Sequence, residues 1–224
     1  MVLLVRHGST NFNSGAAKER IRGWMNLPLN AEGRREIHQI ARVIRNVPFT
    51  KIYASNLARG EQTAKIILET LQDTQHRTIP IIMTQALRPW NLGIYQGEPI
   101  DKKMEAMMIT YQTTKMSESV PDGEPFTAFL QRYLPFLRRV LREARHKGPI
   151  LIVTHTRCLR ATDAWLNAGQ RESNTVDDAV FKKHVHLGTG EGLVLEWNGA
   201  AWVRHVIHPD GHITRTEGKG AEEE

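Results

Sequence analysis

Residues 1–10 read Met1-Val2-Leu3-Leu4-Val5-Arg6-His7-Gly8-Ser9-Thr10. Val2 to Val5 is an unbroken apolar run of strand length, the pattern of a strand buried on both faces. It gives way at once to a cation, an imidazole and a glycine. A buried strand that ends this way delivers polar groups to the carboxyl edge of a sheet, where open α/β folds bind their ligands. Gly8 lets the backbone turn and approach a ligand closely. A lone Arg-His-Gly carries little weight, so its meaning depends on partners elsewhere in the chain.

A second run of the same kind, Ile150 to Val153, follows Gly148-Pro149 and also ends in chemistry: Thr154, His155, Thr156, Arg157. Lys51 to Ala54 reads as another short strand with a turn at Ser55-Asn56, and Pro80 to Thr84 as a fourth. Helical spacing separates them. Ile37, Ile40, Ala41, Ile44 and Val47 mark one buried face, with Asn30 as N-cap and Pro48 as the stop. Ala64, Ile67, Leu68 and Leu71 mark a second face. Phe129, Leu130, Tyr133, Leu137, Val140, Leu141 and Ala144 mark a third, in which Pro135 predicts a kink or a break into two helices. Ala161 to Leu166 continues as a helix after the second histidine. Lys102 to Lys115 is a Met-rich helix, suited to a lid or a loosely packed cap. Leu87 to Gly97 has no period and reads as a core-covering loop or a site wall. Leu193–Trp197 and Trp202–Ile207 flank Asn198-Gly199 as a hairpin. Strands alternating with helices predict a three-layer α/β/α fold with a mostly parallel central sheet. No repeat or linker divides the chain, so residues 1–207 read as one domain. The polar stretch 208–224, closing on three glutamates, reads as a disordered tail.

Composition narrows the function classes. The 224 residues are 40% hydrophobic and 24% charged, ordinary values for a soluble globular chain. Thirty Lys and Arg against 24 Asp and Glu give a net charge of +6, which suits a phosphorylated substrate. No aromatic-interleaved basic stretch accompanies the charge, which disfavours nucleic acid as a partner. Cys158 is the single cysteine, so neither an internal disulfide nor a thiolate metal cluster can form. No apolar stretch reaches membrane-spanning length, and the first residues enter a strand rather than a signal peptide. A cytoplasmic protein is the expectation, with a homodimer left open.

The stretch Ser55-Asn56-Leu57-Ala58-Arg59-Gly60-Glu61-Gln62-Thr63-Ala64 stands just after a strand and opens a helix. Set it beside Arg6-His7-Gly8 with Thr10 and Asn13, Gly23 with Pro28-Leu29 and Gly33, and Val153-Thr154-His155 with Leu159-Arg160 behind. On these blocks the chain resembles the histidine phosphatase superfamily, which has the phosphoglycerate mutase-like fold. The matching blocks run from Val2 to Arg160, with weaker similarity to about Ile207. The resemblance implies phosphoryl transfer, and the residues fit its demands. His7 would be the nucleophile, neutral at the attacking nitrogen, forming a phosphohistidine that water hydrolyses. Arg6 and Arg59 would grip phosphate oxygens with a fork that lysine cannot reproduce. His155, protonated beside the anion, would stabilise charge on the transferring group. Asn13 and the backbone N–H of Thr156 at a helix start would add hydrogen bonds. No metal and no cofactor is expected, because the protein already supplies the cations. His184, His186, His205, His208 and His212 match no metal-ligand spacing.

The departures concern the acid. Family members commonly carry Glu where this chain has Pro89, in Leu87-Arg88-Pro89, and that Glu is their usual general acid. Glu61 and Glu98 are near in sequence but not at that position. Glu124, in Asp122-Gly123-Glu124, sits where relatives often carry Gly-Glu-Ser near the pocket and is the best substitute, with Asp122 second and a solvated turn as the plain reading. Thr156 replaces the usual Gly, and Ser9 the Glu often found after Arg-His-Gly. Three functions follow: a phosphomonoesterase working through His7; a phosphoglycerate-type mutase, disfavoured by the lack of basic, proline-rich inserts; and a catalytically weak binder of phosphorylated ligands.

Overall fold

All five residues of β1 (Val2–Arg6) are buried, as an apolar run without alternation requires. In the computed structural model, which describes residues 1–13, 19–76, 78–173 and 187–215, β1 lies in the middle of a seven-stranded sheet. On one side it pairs in parallel with β4 (Ile150–Thr154), Val2 opposite Ile150 and Arg6 opposite Thr154. Beyond β4 lie β2 (Lys51–Ser55) and then β3 (Ile81–Thr84), both parallel. On its other side β1 pairs antiparallel with β5 (Gly192–Trp197), which continues into β6 (Trp202–Ile207) and β7 (Ile213–Arg215) as a meander. The expected α/β architecture with a parallel core is therefore present.

Alternation along β1 sorts the core into two layers. Leu3 and Val5 pack with Ile37, Ile40 and Ala41 of α1 (Ala31–Val43) and Ala64, Ile67 and Leu71 of α2 (Ala58–Gln75). Val2 and Leu4 pack with Phe129, Tyr133 and Leu137 of α4 (Phe126–Lys147) and Leu159 and Trp165 of α5 (Thr156–Asn167). The Met-rich α3 (Lys102–Thr113) joins that second layer through Met108. Asn30 caps α1 as expected, its side chain accepting from the Gly33 N–H at 2.8 Å. The β5–β6 hairpin also forms, Asn198 accepting from the N–H groups of Ala200 and Ala201.

Two expectations are corrected. Pro135 does not split its helix: α4 runs unbroken through 22 residues. A proline in a helix interior costs about 3 kcal/mol, whereas α4 buries eleven residues, Phe126, Phe129 and Leu137 among them, at about 1.5–3 kcal/mol for each large apolar side chain. Burial wins. The tail does not begin at 208: His208 accepts the N–H of Gly211 in a turn, and β7 pairs Ile213 with Ile207. Residues 216–224 lie outside the described residues. No described helix is long and apolar enough to cross a membrane.

Candidate active site

β1 and β4 end side by side, so the two histidines that follow them meet at the carboxyl edge of the sheet. The His7 N–H donates to the Thr154 carbonyl at 3.0 Å, and the two imidazole centroids are 4.9 Å apart. The loop holding His7 is pressed onto α1: a Cβ at Gly8 would fall 2.4 Å from the Gly33 carbonyl oxygen, and one at Gly33 2.1 Å from that of Ser9. Only two glycines permit that approach. Ser9, the residue that departs from the family pattern, instead donates its N–H and hydroxyl to the Glu36 carboxylate on α1, which also accepts from Thr189. On the other side the Gly8 N–H donates to Thr63 Oγ1 on α2.

His7 is 2% exposed, and its Nδ1 lies 2.7 Å from its neighbour's carbonyl, that of Gly8. A carbonyl can only accept, so Nδ1 carries the proton and Nε2 keeps its lone pair. Burial, then Arg59, Arg6 and Arg22, push the His7 pKa well below its ordinary 6.5, so the ring is neutral at pH 7. His155, also 2% exposed, is read the same way. Arg59 Nε can only donate, so Nδ1 of His155 accepts at 3.3 Å and Nε2–H donates to Ser55 Oγ at 2.9 Å. Burial and Arg59 hold this ring neutral too. The surrounding guanidiniums repel a second positive charge, so the protonated His155 expected beside a bound anion depends on that anion to reverse the balance.

Arg59 is 1% exposed and does more than face a ligand. Its Nη1 and Nη2 donate to the carbonyls of Met25 and Gly23, both at 2.7 Å, while Nε orients His155. One hydrogen on each Nη is left for an oxygen anion. Burial, then Arg22, lowers its pKa to about 9. Arg6 donates Nη1 to the Leu187 carbonyl at 2.6 Å and holds a buried Nε with no acceptor in the protein. Burial and Arg22 lower it to about 10.

These groups form the floor of a cleft of about 450 Å³. Thr156, the first residue of α5, lines it as expected, and a first-turn N–H has no acceptor within its own helix. Pro89 and Trp90 line it as well, so the aperiodic 87–97 stretch is a site wall. So is α3, through Glu105, Met108 and Gln112. Three arginines that the sequence reading gave no role complete the lining: Arg22, Arg157 and Arg160. Arg22 immediately precedes the matched Gly23, and Arg157 and Arg160 follow the second histidine at i, i+3. Position alone could have flagged them.

Asn13 and Glu124 are corrected. Asn13 is not part of the cleft lining; its Oδ1 accepts from the N–H and hydroxyl of Thr10, closing a turn, and its Nδ2 donates to Glu19. The Glu124 carboxylate accepts from the Asn91 N–H at 3.0 Å and from Arg132 Nη2 at 2.8 Å, a fastening between the 87–97 wall and α4. It is not among the residues that line the cleft. Asp122 is exposed in a left-handed turn, also outside the lining. The carboxyls that do line the cleft are Glu19 and Glu105. Of the five histidines noted earlier, His184 and His186 lie outside the described residues; His208 pairs with Glu191 at 2.8 Å and His205 approaches Glu196 at 3.8 Å. Among the described residues no group of three or more side chains could hold a metal ion.

Known proteins agree with this geometry. The sequence pattern of the histidine phosphatase superfamily (branch 1) matches residues 2–188. A 2,3-bisphosphoglycerate-dependent phosphoglycerate mutase from Methanosarcina mazei is 25% identical over 91% of this chain and 92% of its own. The solved structure of Bacillus stearothermophilus YhfR superposes with a TM-score of 0.69, at 26% identity over 90% of this chain and 93% of that one. A mycobacterial glucosyl-3-phosphoglycerate phosphatase shares the fold at a TM-score of 0.67 and 18% identity, over 96% and 94% of the two chains. With paired histidines at the ends of two parallel strands and arginines around them, the chain belongs to the histidine phosphatase superfamily.

Proposed function

We propose that the chain is a phosphatase that hydrolyses small phosphomonoesters through a phosphohistidine on His7. The observation that carries this reading is the Gly8 carbonyl's hold on His7 Nδ1, which leaves a neutral ring with its Nε2 lone pair in a cleft lined by guanidiniums. Nε2 attacks phosphorus in line, the P–O ester bond breaks, and the leaving oxygen takes a proton. Water then attacks the phosphorus, returns the electron pair to Nε2 and frees inorganic phosphate. Arg6 and Arg59 neutralise the equatorial oxygens, and His155 takes up a proton as negative charge gathers beside it. The arginines supply the cationic charge for which other phosphoryl-transfer sites use a metal. Glu105 is the acid. Pro89 cannot give a proton, and the Glu19 carboxylate is occupied by Arg22 at 2.8 Å and by Asn13, which leaves the α3 carboxyl on the cleft wall. The reliance on one buried thiol, Cys158, supports a cytoplasmic location.

Rapid quench with ³²P-labelled 4-nitrophenyl phosphate tests the mechanism. The expected result is an acid-labile, alkali-stable adduct on the peptide containing His7, with His7→Ala slower by about 10⁴-fold or more. An adduct elsewhere, or an active His7→Ala enzyme, ends this reading. A mutase reading draws support from the Methanosarcina relative, and the same label separates the two: it goes to water in a phosphatase and to an added hydroxy acid in a mutase. A protein that binds the ester without forming any adduct would be the non-catalytic alternative.

A further inference from the structure

Five arginines line the cleft, Arg6, Arg22, Arg59, Arg157 and Arg160, against two carboxylates, Glu19 and Glu105. With both histidines neutral and both glutamates ionised, the described lining carries three uncompensated positive charges, and one more when Glu105 holds the proton it donates. A phosphate dianion offsets two of them. Two of the arginines, Arg157 and Arg160, stand where α3 faces the start of α5, and Arg160 feels both Glu19 and Glu105. Arg157 donates Nη1 to Gln112 Oε1 and Nη2 to Met108 Sδ, both at 3.1 Å, and neither partner is an anion. Burial, then Arg160, lowers the Arg157 pKa to about 9, so the two guanidiniums repel one another.

Two donors at this wall have no acceptor among the described residues. Gln112 is 6% exposed, and because Arg157 can only donate, Oε1 is the atom facing it and Nε2 is left over. That Nε2 is buried and unpartnered, as is Arg160 Nε. A buried donor without an acceptor costs about 1–3 kcal/mol. Two of them at one wall of a cleft, next to surplus positive charge, describe the complement of an oxyanion.

We propose that Gln112, Arg157 and Arg160 form a second anion subsite, so that the preferred substrates carry a second anionic group beside the phosphomonoester. The proposal rests on the phosphatase reading for what sits over His7. Its distance scale comes from the helix: Arg157 and Arg160 stand two and five residues beyond His155, hence roughly 3–8 Å along the α5 axis at 1.5 Å per residue. The two anionic groups are therefore separated by a few bonds. One surplus charge favours a carboxylate, and a second phosphate has the same oxyanion chemistry.

Titration calorimetry on the intact protein tests this without turnover. Propylphosphonate, 2-carboxyethylphosphonate and propane-1,3-diylbisphosphonate present one anionic group, an added carboxylate and an added phosphonate on comparable stems. The expected result is binding tighter by about tenfold or more for at least one of the two doubly anionic compounds, and the stronger of the two names the group. In Arg160→Gln and in Gln112→Leu that preference should fall to about threefold or less. Equal affinities for all three compounds in the unaltered protein overturn the subsite, as does a preference that survives both substitutions. The unaltered protein alone decides the first point, so a variant that fails to fold does not remove the test. A retained preference in a protein that forms no phosphohistidine would sink the phosphatase reading and leave the subsite standing; the reverse pattern would do the opposite.

Discussion

The floor and the α3–α5 wall of the cleft are both rich in arginine, yet they are built in opposite ways. On the floor each side chain is tied to the protein's own main chain, His7 to Gly8, Arg6 to Leu187 and Arg59 to Gly23 and Met25, although Arg6 Nε is left over there too. Such groups cannot reorient, which is what a phosphoryl transfer site gains from preorganisation. On the wall Arg157 leans on a thioether and an amide, and two residues of the cleft lining, Gln112 and Arg160, each hold a buried donor with no partner among the described residues. A region whose bonds are closed internally fixes the reaction. A region whose bonds are left open selects what comes in.

The comparison can be broken most sharply at Glu105, the wall residue assigned to chemistry. A positioned acid contributes about 10² to 10⁴ in rate when the leaving group is an alkoxide and little when it is 4-nitrophenolate. Glu105→Gln should therefore slow an alkyl phosphate by about that factor while sparing the nitrophenyl ester. Equal kcat/KM losses for both esters, or none, would remove Glu105 from the mechanism. Next comes the floor's rigidity. Arg59→Lys keeps the charge but cannot hold Gly23, Met25 and His155 together. A loss in kcat of about 10²- to 10³-fold is expected, the scale of one lost oxyanion donor. Unchanged kinetics would show that the three contacts are ornamental. The smallest effect is on stability. His7 and His155 are held neutral below their ordinary value of 6.5 by burial and nearby guanidiniums. Below pH 6.5 the unfolded chain thus binds protons that the folded one refuses. Stability present at higher pH should fall as pH drops through this window, by about 1.4 kcal/mol per pH unit for each histidine. Melting curves at pH 7.5 and 5.5 should show a smaller drop for His155→Gln than for the unaltered protein; identical drops would mean the rings are not depressed.

The floor was legible because its residues follow strands that announce themselves: two apolar runs ending in His7 and His155, and a helix opening with Arg59 in a dense motif. The wall was not, because nothing in the sequence says that α3 lies against the first turn of α5. Arg157 and Arg160 stand in the matched stretch after His155, but they have no role until Gln112 is placed opposite Arg157. Glu124 misled for a related reason. Its neighbour Gly123 suggests freedom, but Arg132 of α4, eight residues on, captures the carboxylate. Asn13 was the right residue type in the wrong role, since a short amide side chain closes a local turn as readily as it meets a ligand. Pro135 was judged by its local cost alone, without the long buried face that outweighs it.

β1 precedes every other described strand, and both of its neighbours come far later: β4 begins at Ile150 and β5 at Gly192. Bringing chain ends together over about 150 residues costs roughly 4 kcal/mol of loop entropy, and no earlier strand pairs with β1 to repay it. The Arg6 side chain waits for the carbonyl of Leu187, made after β4 and just before β5. A nascent chain therefore carries His7 through the synthesis of all the later strands before its site can form. The enzyme is assembled late from a part made early, and until residues near 190 emerge, an apolar strand made for the centre of a sheet has no sheet to enter.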